Sequence, residues 1–237
     1  MKKVLIFCLS LFIFLVIYFK TNWIHNESTG LKDLKNYRIG DAILDESFNW
    51  YIIRALYRNY FKGTIGGEYF TRTSKSRDYD TLYKIIKEKT QNLEEIPKED
   101  EAVFHIRAGD VIDWEYSDDI DDLLEGRKHY DYKKCKIKDY LLNYKKIDDK
   151  LNLLENISKV TMVSGYHTNE DHTRSEIYLS KIKKFLEGKG LQVSQRINSS
   201  ADDDFLYMSN SKFFMKSGGR FSELIGEMVK KNNNLVF

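Results

Sequence analysis

In "VFHIRAGDVI", residues 103 to 112, an apolar run ends in His105, Arg107 and Asp110, with Gly109 at the break. An imidazole, a guanidinium and a carboxylate at the tip of a buried strand can bind an anion and move a proton. A guanidinium at Arg107 matches a diphosphate with two parallel hydrogen bonds. The plain alternative is an Arg107–Asp110 salt bridge that orders the turn, and a satisfied core histidine at His105. A second group, "SGGRFSE", follows an apolar run and precedes a helical pattern. Gly218 and Gly219 let backbone approach a ligand, and the open N–H groups of a helix start, with the Ser222 hydroxyl, form an anion site. The plain alternative is a helix capped by Ser217 or Ser222. A third group, Ser164, Gly165 and His167, ends the run "KVTMVSG".

Two acidic clusters invite a metal and are read otherwise. Asp202-Asp203-Asp204 has the form of the DxD motif of metal-dependent sugar transferases, but it opens a helix instead of ending a strand. Asp202 or Asp203 then caps that helix, and a carboxylate there also suits a nucleoside edge. "HTNEDH", with His167, Glu170, Asp171 and His172, fits no standard ligand spacing and reads as a solvated loop. "AGDVIDW" is similar to the glycine-aspartate turn of metallophosphoesterases, yet that family's upstream Asp-x-His and downstream Gly-Asn-His-Asp/Glu blocks are missing.

The elements that must hold these groups follow from periodicity. Apolar positions Phe48, Tyr51, Ile52, Ala55, Leu56 and Tyr60 mark a helix over 42–61. Leu82, Ile85 and Ile86 mark a shorter one over 79–91. "AVFHIRAGD" is a strand, residues 113–132 an irregular acidic loop, and 136–154 a helix built on Tyr140, Leu141, Tyr144 and Leu151. Then "KVTMVSG", "LQVSQRI" and "KFFMK" are strands. They alternate with helices carrying Tyr178, Leu179, Ile182, Phe185 and Leu186; "DDDFLYMSN"; and Leu224, Ile225, Met228 and Val229. Such alternation predicts an α/β unit with a parallel sheet, whose ligands bind outside the carboxyl ends of the strands. All three polar groups fall at those ends.

The chain has 237 residues, 38 basic and 36 acidic, for a net charge of +2. That balance argues against nucleic acid as a partner. A single proline, Pro97, and no Gly/Ser-rich linker argue against a string of disordered modules. Met1-Lys2-Lys3 precedes the apolar run 4–19, closed by Lys20. At about 1.5 Å per residue the run is slightly short of a ~30 Å hydrocarbon core, and flanking lysines can snorkel. With no small-x-small site after it, the run reads as an uncleaved single-pass anchor instead of a cleaved signal peptide. Lys2 and Lys3 stay cytosolic and the body is lumenal or extracytoplasmic, which means the Golgi or ER if the cell is eukaryotic. Sequons at Asn26, Asn156 and Asn198 agree with that. With Cys8 in the anchor, Cys135 is alone in the body and no internal disulfide forms there. The expected organisation is 1–25 anchor, 30–112 a small helical acceptor-side half ending in the "HIRAGD" strand, 113–155 connection, and 156–237 a nucleotide-sugar-binding half.

Taken together, "HIRAGD" and "DDDFLYMSNSKFFMKSGGRFSELIGEM" resemble blocks of the GDP-fucose-dependent fucosyltransferases of the α1,2/α1,6/protein-O superfamily. That family has a strand ending in His-x-Arg-x-x-Asp. Near its C-terminus come an acidic start, a Leu-x-x-Met-Ser-like helix, an apolar strand, and Ser-x-x-Phe-Ser opening a helix. The resemblance implies a GT-B fold with a Rossmann-like C-terminal sheet, and an inverting, metal-independent transfer from GDP-fucose to a glycan or protein hydroxyl. No cofactor beyond the sugar nucleotide is implied. Arg107 would hold the donor diphosphate, with His105 and Asp110 shaping the pocket. Ser217, Gly218, Gly219, Phe221 and Ser222 would grip the phosphates, and Asp203 or Asp204 would lie beside the nucleoside. Ser164, Gly165 and His167 complete the donor side. Asp110, Asp113, Glu115 and His167 stay open as general bases. The family's N-terminal glycine-rich loop has only "YRIGDAIL", around Gly40, as a counterpart. The small first half leaves a second reading, a non-catalytic glycan- or protein-binding relative; a metallophosphoesterase is the third.

Overall fold

The computed structural model describes residues 79–91, 93–113, 119–126, 141–166 and 171–237. The apolar run 4–19, the helix expected over 42–61, the Gly40 turn and Cys135 lie outside the described residues. Among the described residues no helix is long and apolar enough to cross a membrane. Tyr79–Phe237 form one compact unit.

That unit is α/β, with five parallel strands. They are β1 (Glu101–His105), β2 (Lys159–Ser164), β3 (Gln192–Ile197), β4 (Phe213–Met215) and β5 (Leu235–Val236), in the order β3-β2-β1-β4-β5. β1, expected to close a separate first half, therefore runs in the middle of the same sheet as the other four strands. It is bonded to β2 on one side and β4 on the other. The chain winds outward from β1 through β2 and β3, then returns to the other side for β4 and β5. The order reverses between β1 and β4, where a doubly wound sheet leaves a crevice at its carboxyl edge.

Period-two alternation gives the sheet two apolar faces. On one face Ala102, Phe104, Val160, Met162 and Met215 pack with Tyr178, Leu179, Ile182 and Leu186 of helix α5 (Thr173–Gly188). Ile147 of α4 (Tyr144–Leu151) joins them, and so do Ile112 of α2 (Asp110–Asp113) and Leu124 of α3 (Ile120–Leu124). The other face carries Val103, His105 and Phe214. It is covered by α1 (Tyr79–Thr90), α6 (Ala201–Ser209) and α7 (Arg220–Lys231), which also pack on one another. Leu82, Ile85 and Ile86 of α1 are buried as the spacing predicts, and so are Leu224, Ile225, Met228 and Val229 of α7. Each such side chain contributes roughly 1.5–3 kcal/mol through burial.

Three local expectations are corrected. Within the acidic stretch 113–132, α3 is helical: Asp119 Oδ1 accepts the Asp121 N–H at 3.0 Å, and Ile120 and Leu124 reach the core one turn apart. Leu141 lies before α4, not in it, because Asn143 is extended and its Oδ1 caps Lys146 N at 2.8 Å. Ser200, not Asp202 or Asp203, occupies the N-cap of α6, and its hydroxyl makes no capping bond.

Candidate functional site

The carboxyl ends of β1 and β4 meet at the point where the strand order reverses. His105 is the last residue of β1, and Ser217 follows β4 by two residues. The Ser217 hydroxyl and His105 Nδ1 are 2.9 Å apart. The Phe221 ring stands edge-on to His105 at 5.5 Å and lies 5.7 Å from Phe205. Two blocks more than a hundred residues apart in sequence are thus joined by one hydrogen bond and one ring contact. Arg107, two residues beyond β1, is half-buried.

The turn from β4 into α7 depends on Gly219, whose φ of 108° and ψ of 156° suit glycine alone. Gly219 is the N-cap, and its carbonyl accepts the Glu223 N–H at 3.0 Å. Neither Ser217 nor Ser222 occupies the N-cap of α7: Gly219 does, and the Ser217 hydroxyl is turned to His105. Ser222 is fully buried, and its hydroxyl has no hydrogen-bond partner among the described residues. Backbone N–H groups at this helix start favour an anion, whereas the Ser222 hydroxyl, expected to grip one, is sealed from solvent.

Next to it, the end of β2 is tied to the end of β1. Ser164 donates its hydroxyl to Ile106 O at 2.7 Å, and Ile106 N donates to Val163 O at 2.9 Å. Beyond Gly165, the Tyr166 N–H donates to Asn198 Oδ1 at 2.9 Å. The Tyr166 ring stacks on His172, with centroids 4.3 Å apart and 24° between planes. Burial is the first cause that raises the Tyr166 phenol pKa; the charges of Glu176 and Asp113 act the same way.

Asp113 holds this rim together. Its side chain is 1% exposed. Oδ1 accepts the Ser175 N–H at 2.8 Å, while Oδ2 takes the Ser175 hydroxyl at 2.8 Å and His172 Nδ1 at 2.9 Å. The Ser175 oxygen in turn accepts the Gly109 N–H at 2.8 Å. Gly109 has a φ of 69°, and its carbonyl receives the N–H groups of Ile112 and Asp113. The glycine of "HIRAGD" thus provides a left-handed turn and starts α2.

The acidic start of α6 divides. Asp203 is exposed. Asp204 is buried and paired to Arg196 Nε at 3.1 Å. Burial pushes the Asp204 pKa up, against the pull of that guanidinium. Arg196 also lies 4.4 Å from the Tyr207 ring centroid and 3.3 Å from a Glu95 oxygen.

The structure therefore brings His105, Ser217 and Phe221 into contact and sets Ser164 and Gly165 on the neighbouring strand end. The side chain of Asp110, and all of Glu115 and His167, lie outside the described residues. His172, Ser175, Tyr166 and Asn198 were not legible as a group. The one local signal was "HTNEDH", where His172 stood in a stretch read as solvated loop. Among the described residues no set of three or more His, Cys, Asp or Glu side chains is grouped to hold a metal ion. No protein-family model, curated protein or solved structure matches the chain.

Proposed function

We propose that this chain is an inverting glycosyltransferase that takes its sugar from GDP-fucose, without a metal, and passes it to a glycan or protein hydroxyl. Residues 4–19 anchor it in the membrane with the body on the lumenal or extracytoplasmic side, and its fold is of GT-B type. The observation that carries the reading is the 2.9 Å contact of Ser217 with His105, which puts the "HIRAGD" strand end and the "SGGRFS" turn side by side at the carboxyl edge. A diphosphate fits that arrangement chemically. Arg107 meets it from one strand end, and the first N–H groups of α7 meet it from the other.

The chemistry follows from charge. As GDP departs, negative charge grows on a β-phosphate oxygen. A guanidinium and fixed N–H dipoles stabilise that charge more than they stabilise the bound donor, which lowers the barrier. His105, held by Ser217 and Phe221, gives the pocket a fixed wall, and Asp203 offers an exposed carboxylate towards the nucleoside side. The acceptor oxygen attacks the anomeric carbon from the face opposite the phosphate, so configuration inverts without an enzyme-bound sugar.

A donor screen tests this. The chain lacking residues 1–25 should release GDP from GDP-fucose, and release no comparable product from UDP- or CMP-sugars. Saturable GDP binding with no release from any donor would favour the non-catalytic reading. Release from a UDP-sugar alone would remove the GDP-fucose assignment.

A further inference from the structure

Arg107 sits on a stretch of backbone that is held on both sides. Before it, Ile106 is locked to the end of β2. Its N–H donates to Val163 O at 2.9 Å, and its carbonyl accepts the Ser164 hydroxyl at 2.7 Å. After it, Ala108 is buried, and the Gly109 N–H donates to the Ser175 hydroxyl oxygen at 2.8 Å. The register of β1 with β2 ends at His105. Beyond that residue these side-chain bonds hold the chain. Both hydroxyls are buried, Ser164 at 3% exposure and Ser175 at 0%. Ser164, expected to touch the donor, is turned to the backbone instead.

Ser175, in the first turn of α5, is itself oriented. Asp113 Oδ1 accepts its N–H and Oδ2 its hydroxyl hydrogen, both at 2.8 Å. A carboxylate only accepts, so that hydrogen points to Asp113 and an oxygen lone pair is left for Gly109. The Gly109 carbonyl accepts the Asp113 N–H at 2.8 Å, which closes a ring through Gly109, Asp113 and Ser175. Arg174 Nε adds a bond to Ile112 O at 3.0 Å in the same turn. A planar guanidinium meets a diphosphate with two parallel hydrogen bonds only at a set distance and angle. A small displacement of such a group forfeits much of its effect.

We infer that Ser164 and Ser175 are positioning residues for Arg107, fixing the backbone on either side of it so that its guanidinium meets the donor diphosphate; the inference rests on the glycosyltransferase reading above. Neither serine touches the donor. Ser164 acts from the end of β2 through Ile106. Ser175 acts from α5 through Gly109, with Asp113 setting its hydroxyl.

The test is calorimetric titration of GDP into the full-length protein in detergent. It compares wild type, Ser164→Ala, Ser175→Ala, Arg107→Ala, and each serine variant combined with Arg107→Ala. Ser175→Ala leaves the buried Gly109 N–H without its acceptor, and Ser164→Ala takes a donor from Ile106 O. Each alone should weaken GDP binding by about three- to tenfold. With Arg107→Ala already present, neither should weaken it further, because the loss runs through the guanidinium. Serines that only tie β2 and α5 to the sheet would lower affinity by the same factor with or without Arg107, or leave it unchanged. Either result overturns the positioning role. Circular dichroism reports whether each variant is folded; if Ser175→Ala is not, the Ser164→Ala pair decides alone. Folded wild-type protein that takes up no GDP at millimolar concentration overturns the transferase reading, and this inference with it. Missing coupling in a wild type that binds GDP overturns the inference alone.

Discussion

Glu101 is the most heavily committed carboxylate of the described residues, and it stands at the end of β1 away from the site. It is 1% exposed and accepts from the Thr161 hydroxyl, from Tyr207 at 2.5 Å and from Lys98 N at 3.3 Å, with Lys159 3.3 Å away. Burial is the largest influence and would raise its pKa. The donors, led by Thr161 and Tyr207, outweigh it and hold Glu101 below the ordinary 4.5. Burial, with the bond to Glu101 next, pushes the Tyr207 phenol up. A depressed folded-state pKa gives stability that is present above 4.5 and lost as pH falls through the lower folded value. Glu101→Gln should therefore cost about 1–3 kcal/mol at neutral pH and flatten the acid side of the stability curve. Urea unfolding at pH 7 and at pH 3 checks both; an unchanged slope between them would contradict the assignment. The network lies away from the proposed site, so under the transferase reading GDP release per folded molecule should stay at the wild-type rate.

At the scale of elements, the site stands on two turns and a short strand. Gly219→Ala forces a Cβ into a conformation open to glycine alone, at a cost of about 1–3 kcal/mol. The misplaced start of α7 should weaken GDP binding while the rest of the unit folds. β5 supports the same turn from the edge. Leu235 N donates to Lys212 O, Phe237 N to Phe214 O, and Lys216 N to Phe237 O, the last just before Ser217. Deleting residues 235–237 should lower the melting temperature and the GDP-induced shift together. A normal shift in the truncated chain would detach β5 from the site. These elements also mark what periodicity can and cannot reveal. α1, α5 and α7 were legible because three- and four-residue apolar steps continue for several turns, and β1, β2 and β4 because their apolar runs end sharply. β5 is two residues long and has no period to read. α3 is set by the Asp119 cap, and α4 begins late because Asn143 holds an extended conformation. The strand-end groups of the site were visible as polar breaks. The Asp113 network was not, since it joins Gly109, Asp113, His172 and Ser175 across 59 to 66 residues of sequence.

At the scale of the molecule, a sheet covered on both faces leaves its two edges to do different work. The amino edge holds the Glu101 network and stabilises. The carboxyl edge gathers His105, Ser217, Phe221 and the His172–Asp113 pair, and it lies where the strand order reverses. All of those residues, and both apolar layers, come from the unit Tyr79–Phe237. Residues 79–237 alone should then unfold in one cooperative transition and keep GDP affinity, as followed by circular dichroism and thermal shift. A fragment that is folded yet blind to GDP would mean that donor contacts come from elsewhere in the chain. The central claim is that Arg107 and the start of α7 hold one diphosphate between them. Calorimetric titration of GDP into the chain lacking residues 1–25 tests it most directly. The account predicts saturable binding of one GDP per chain. Arg107→Ala should weaken it by about tenfold or more, the loss expected for charge-assisted hydrogen bonds of roughly 1.5–3 kcal/mol. Folded wild-type protein that takes up no GDP at millimolar concentration, or an Arg107→Ala variant that binds it equally well, would contradict the claim.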